Sequence, residues 1–111
     1  MDRRSQGEID MDEKILLEEL KTKLLITFED KELDKKIEDS LKSAEAHIDA
    51  LVGTNVDYID DRFARSLLLD CARYYYNNVS EFFEDNFHKE ILRLQLLQAS
   101  GAYDEDTKTY H

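Results

Sequence analysis

The segment RFARSLLLDCARYYYNN, residues 62–78, decides the fold of this chain, because its apolar residues recur at helical spacing along two adjoining stripes. The two stripes consist of Phe63, Leu67, Tyr74 and Asn78 in the first and Ala64, Leu68, Ala72, Tyr75 and Val79 in the second, with Cys71 between them. Together they cover roughly half of the helix surface, whereas an ordinary surface helix buries a stripe of about 100°. The segment is therefore predicted to be the central helix of a bundle.

The opposite side of this helix carries two apolar residues in a basic surrounding. Leu69 and Tyr76 lie one heptad apart and are predicted to face outward among Arg62, Arg65 and Arg73. The three arginines have two interpretations: they pair with acidic residues of the same subunit, or they dock onto the acidic face of a neighbouring copy. An outward apolar pair favours a second protein surface on this side of the helix.

Further helices are predicted before and after the central one. Residues 12–24 and 30–52 show helical periodicity, and Gly53 is placed to end the second of these helices. The apolar residues of the link at 26–28 are predicted to close one end of the bundle. Residues 80–100 are predicted to form either one helix or a single turn followed by a longer helix.

The last helix is predicted to be apolar on two faces. Its inward stripe consists of Phe83, Phe87, Ile91 and Leu94. Phe82, Leu92 and Leu96 lie largely on the far side. A helix of this kind is either fully buried or shared between molecules, and we expect sharing because so few helices are available to cover it. In the segment after it, Tyr103 and Tyr110 are candidate anchors for a partner.

The composition predicts an all-α protein. The chain of 111 residues has no Pro and three Gly, and its β-branched residues never alternate with polar ones over the length of a strand. We therefore expect a small bundle of about four helices with flexible N- and C-terminal tails. The predicted organisation is a lead-in at residues 1–11, a helical domain at 12–98 and an acidic tail at 99–111.

The charge and the reactive residues exclude several classes of function. The net charge of −11 argues against binding to duplex DNA through a basic surface. One cysteine excludes a disulfide framework, and Cys71 is predicted to be a buried, inert thiol. His47 is interpreted as a boundary residue of the second helix. No nucleophile motif, phosphate loop or zinc signature is present, so we expect no catalytic, cofactor or metal site. No apolar run reaches the roughly 20 residues of a membrane span.

The order of three segments resembles the small head–tail connector proteins of tailed bacteriophages, also called head–tail adaptors or DNA-packaging proteins of the QLRG type. Those segments are KILLEELKTKLLITFEDKELDKKIEDSLKSAEAHIDALVG, RFARSLLLDCARYYYNN and FEDNFHKEILRLQLLQ. The resemblance covers about residues 14–98 and rests on the order of LKTKL-x-I, A-E-x-x-I-x-x-x-V-G, Tyr-x-Asn and LRLQLL. The chain departs from the usual Q-L-R order at residues 92–96, and Asn78 stands where relatives often have Arg.

The resemblance implies a helical subunit that forms a ring, typically of twelve copies, below the portal protein of the virion. Such a ring is assembled in the host cytoplasm, extends the DNA channel without binding DNA specifically, and docks the stopper or tail-completion protein. It involves no membrane, catalytic residue or cofactor. The alternative from the residues themselves is a small acidic regulatory protein, of antitoxin or anti-repressor type, that sequesters a basic partner.

Overall fold

The computed structural model describes residues 11–100, and every regular element among them is helical. In chain order the elements are α1 (Met11–Lys23), α2 (Lys31–Val52), α3 (Arg62–Tyr76), a 3₁₀ turn (Ser80–Phe82), α4 (Phe83–Asn86) and α5 (His88–Ser100). The all-α prediction is confirmed, and since α4 is a single turn, four longer helices form the bundle. Residues 1–10 and 101–111 of the predicted tails, with Tyr103 and Tyr110, lie outside the described residues, whereas Met11 belongs to α1 and residues 99–100 belong to α5.

The helix ends follow from local hydrogen bonds. At the start of α2 the Asp30 carboxylate accepts hydrogen bonds from the backbone N–H groups of Glu32 and Leu33, at 3.0 and 3.1 Å. Asp61 caps α3 in the same way, accepting from the N–H of Ala64 at 3.1 Å. Gly53 ends α2 in a left-handed conformation with φ 92°, as its position after the apolar stripe predicts.

Helices α2 and α3 form an antiparallel pair at the centre of the molecule. Near the middle of the pair Cys71 lies beside His47, and further along α3 the Tyr76 ring lies under the ammonium of Lys36. Residues later in α3 therefore contact residues earlier in α2, so the two helices run in opposite directions. The central position predicted for residues 62–78 is confirmed, because α1, α2 and α5 all pack against α3.

The two outer helices cover different sides of this pair. Helix α1 is bound to α3 by an ion pair between Glu19 and Arg65 at 3.3 Å and another between Lys23 and Asp70 at 3.2 Å. Helix α5 contacts both α2 and α3. The 3₁₀ turn and α4 reverse the chain direction between α3 and α5, so the last segment is a turn followed by a longer helix.

The core consists mainly of aliphatic and small side chains, together with the aromatic residues Tyr58 and Phe83. Phe83 is fully buried and stacks on Phe87, with ring centroids 5.0 Å apart, while Tyr74 meets both rings edge-on. The remaining fully buried residues include Leu20, Ile37, Leu41, Ala44, Ala64, Leu68, Cys71, Ala72 and Leu94. The inward stripes of α2, α3 and the last segment thus meet in one core.

The outward orientation predicted for Leu69 and Tyr76 is wrong. Leu69 is 7% exposed and belongs to the core, and Tyr76 is half-buried against that core. Helix α1 lies over α3 beside Leu69, held there by the ion pairs of Arg65 and Asp70, and the ammonium of Lys36 on α2 lies over the ring of Tyr76. Helix α3 therefore buries the apolar residues of both its sides within one subunit.

We expect Leu69→Ala to lower the free energy of unfolding by about 2–5 kcal/mol, because it removes buried side-chain volume from the core. The matched control is Leu92→Ala on the exposed side of α5, which should change the free energy of unfolding by less than about 0.5 kcal/mol. Urea denaturation followed by circular dichroism measures both values. Equal, small effects for the two variants would contradict the burial of Leu69.

Candidate interaction surface

Several large apolar side chains of the described residues remain exposed. They are Met11, Ile15, Leu25, Phe28, Phe82, Leu92 and Leu96. Single exposed apolar residues are common on soluble proteins, so only those that lie together on one face or one loop point to a partner. Three such groups occur: one on α5, one in the loop between α1 and α2, and the pair Met11 and Ile15, residues i and i+4 at the start of α1.

The first group, which we name the α5 patch, consists of Leu92 and Leu96 with the basic residues Lys89 and Arg93. Leu92 is 47% exposed and Leu96 is 61% exposed, and as residues i and i+4 they lie on one face. Their outward orientation agrees with the sequence prediction. Arg93 stacks on the ring of Phe63, with its guanidinium carbon 4.8 Å from the ring centroid, and both basic residues are exposed.

The second group, which we name the α1–α2 loop, contains Leu25, 85% exposed, and Phe28, 57% exposed. The prediction that the link closes one end of the bundle holds for Ile26, which packs against the core, and is wrong for Phe28. Phe28 is followed by the exposed acidic residues Glu29 and Asp30. The sequence analysis did not identify Leu25. Its one signal was that no glycine follows α1, so another residue has to adopt the left-handed conformation that ends the helix.

Leu25 has an unusual backbone conformation for a leucine. Its φ is 63°, and it ends α1 in a Schellman arrangement in which the N–H of Ile26 donates to the carbonyl of Lys21 at 2.9 Å. Glycine is the usual residue there, because the left-handed region costs other residues about 1–2 kcal/mol. Asn78 ends α3 in the same way with φ 61°. The helix end therefore keeps a strained, exposed leucine.

The arginines of α3 are largely used within the subunit. Arg65 is bound to Glu19, and Arg73 lies 3.4 Å from the Asp70 carboxylate and over the ring of Tyr74. For these two residues the pairing interpretation is the one observed. Arg62 is exposed at the start of α3. Phe82, the remaining candidate, is also exposed, in the 3₁₀ turn.

A polar cluster that the sequence did not predict joins α2, α3 and α4. His47 Nε2 donates to the Glu84 carboxylate at 2.8 Å, and its Nδ1 forms a hydrogen bond with the Tyr75 hydroxyl at 2.9 Å. The Cys71 sulfur lies 4.0 Å from the same Nδ1. A thiol, an imidazole and a carboxylate in this order are also the groups of a thiol nucleophile and its base.

The environment of Cys71 does not activate its sulfur. The side chain is fully buried, and burial raises the pKa of the thiol to about 12, with smaller contributions from the negative charges of Glu84 and Asp70. A reactive cysteine requires the opposite shift, toward the thiolate. We therefore interpret the cluster as a structural contact that holds α4 against the central pair.

Other kinds of site are weakly represented in residues 11–100. This part of the chain holds no group of three potential metal ligands, and none of its helices could cross a membrane. An open groove of about 500 Å³ between α2 and the end of α3 has mixed lining charges, including Lys31, Lys35, Glu32 and Asp39. Such a mixture favours no single class of ligand.

We expect iodoacetamide to leave Cys71 unmodified at pH 8 in the folded protein and to modify it fully in denaturant. The Cys71 thiol should lower the free energy of unfolding by about 1.4 kcal/mol per pH unit between about pH 9 and about pH 12, because it ionises first in the unfolded chain, and the buried Tyr58 hydroxyl, whose pKa is also raised, adds to the fall above about pH 10. Mass spectrometry and urea denaturation measure the two effects. Rapid modification of the folded chain would contradict an inert thiol.

The chain matches no protein-family model, no curated protein and no solved structure.

Proposed function

We propose that this chain is the structural subunit of a phage head–tail connector. Its copies form a ring below the portal protein, extend the DNA channel and dock the stopper or tail-completion protein. The observation that carries the proposal is the α5 patch, where Leu92 and Leu96 lie exposed side by side on a helix whose other face is fully used in the core. This is the surface that a subunit leaves for a neighbour.

The order of sequence features supports the choice of this class of assembly. The segments that resemble head–tail connectors form α1, α2, α3 and α5, the four helices of the bundle. The A-E-x-x-I-x-x-x-V-G stretch ends α2 at its Gly53 cap, and Tyr-x-Asn lies at the end of α3. The stretches that carry the resemblance thus coincide with helix ends and packed faces.

The net charge of −11 is consistent with a channel protein. A ring of strongly acidic subunits repels the phosphates of a passing duplex, so DNA can move through it without adhering. In this function the ring belongs to the virion, at the junction of head and tail. Its work is mechanical and requires no cofactor.

We expect the purified chain to assemble into a ring, alone or with a phage portal protein, and Leu96→Asp to prevent this. The variant should keep the circular dichroism spectrum and melting temperature of the wild-type protein, because Leu96 is exposed. Light scattering and negative-stain electron microscopy measure assembly. Ala46→Asp, at an exposed position of α2, adds the same charge and should assemble normally.

The same measurement separates the connector from the acidic regulatory protein. A wild-type chain that stays a monomer or dimer with the portal protein present would contradict the connector and favour regulation. An unfolded Leu96→Asp variant would show that Leu96 contributes to the core of the subunit. Assembly of both Asp variants would remove the α5 patch from the interface.

A further inference from the structure

We propose that the α1–α2 loop of one copy binds the α5 patch of the next copy. The inference rests on the self-assembly proposed above and assigns its two contacting surfaces. Leu25 and Phe28 supply the apolar side chains of one surface, and Leu92 and Leu96 supply those of the other. The partner of each surface is therefore a second copy of this chain.

The strained backbone at Leu25 is the first argument. A residue with φ 63° at a helix end is usually glycine, and leucine gains nothing there within the subunit because its side chain is 85% exposed. Strain is kept at a position where the surrounding function requires the residue. Burial of the Leu25 side chain in a neighbouring copy would offset the cost of the left-handed conformation.

Charge complementarity is the second argument. The loop continues into Glu29, Asp30, Lys31 and Glu32, which are all exposed and together carry a net negative charge, whereas the α5 patch contains the basic residues Lys89 and Arg93 beside its leucines. Opposite charges around two apolar surfaces favour their association and determine its orientation. In a chain with a net charge of −11, an apolar patch with a basic border is suited to the acidic surface of an identical subunit.

The positions of the two surfaces make the contact intermolecular. The loop leads directly into the start of α2 at Lys31, whereas Gln95, next to Leu96, donates a hydrogen bond at 2.8 Å to the carbonyl of Leu51 at the end of α2. Twenty residues of helix separate these points by about 30 Å, at a rise of about 1.5 Å per residue. One copy cannot join its own surfaces, and a head-to-tail contact between copies closes into a ring when the rotation permits.

We expect Leu25→Gly to weaken self-assembly by about tenfold or more while leaving the melting temperature equal to or above that of the wild-type protein. The glycine relieves the left-handed strain and removes the apolar side chain that the neighbour buries. The matched control is Asn78→Gly, which places glycine at the other left-handed helix end, φ 61°, where asparagine is less strained than leucine, and which should assemble normally. Sedimentation velocity over a concentration series measures assembly.

Cross-linking identifies the contacting surfaces directly. We expect a short bismaleimide to join Phe28→Cys and Leu96→Cys variants when the two are mixed, and to convert the double variant into a ladder of oligomers. Phe28→Cys mixed with Ala46→Cys should give no such product. Cys71 does not interfere because its thiol is buried. All samples are treated with and without the portal protein.

The outcomes separate this inference from the connector function. Rings that form normally with Leu25→Gly, or cross-links that join two Phe28→Cys copies instead of Phe28→Cys to Leu96→Cys, would overturn the assigned contact and leave the connector intact. A wild-type chain that never assembles, even with the portal protein, would overturn both.

Discussion

The packing of α2 against α3 is the interaction on which the rest of the molecule depends. Small side chains are buried on both helices, among them Ala44 on α2 and Ala64 and Ala72 on α3, and small residues let two helices approach closely. Larger aliphatic residues such as Ile37 and Leu68 fill the space on either side. Every other long helix packs against this antiparallel pair, so its geometry determines where the remaining surfaces lie.

The number and positions of the helices explain which surfaces stay exposed. Helix α1 covers one side of α3, where it buries Leu69 and pairs its charges with Arg65 and Asp70. Helix α5 covers another side with Ile91 and Leu94, and in the described residues no further helix remains to cover its outer face. An apolar outer face on the last helix of a small bundle is therefore the natural place for an intermolecular contact.

The polar cluster around His47 holds α4, the turn that leads into α5, against the central helix pair. Its contacts with Tyr75 and Glu84 tie α2, the end of α3 and α4 together, next to the buried ring of Phe83. Because α5 follows α4 directly, the position of this corner determines the direction in which α5 leaves it.

The amino-acid sequence by itself determined the helices and most of their ends. Periodicity identified α1, α2 and α3 to within two residues, and the position of Gly53 identified the end of α2, because these features depend on neighbours a few positions away. It also identified the outer face of α5, since Leu92 and Leu96 lie opposite a strong inward stripe.

Only the tertiary structure decided which helix buries both of its apolar sides within one subunit. That helix is α3, and α5 leaves one apolar side exposed. Leu69 and Leu92 each lie on the side of a helix opposite its inward apolar stripe. Helix α1 nevertheless covers Leu69, whereas Leu92 stays exposed. The exposure of Leu25 and Phe28 and the meeting of His47 with Glu84 were equally hidden. These features depend on residues far apart in the chain, whose approach is set by helix packing and not by local periodicity.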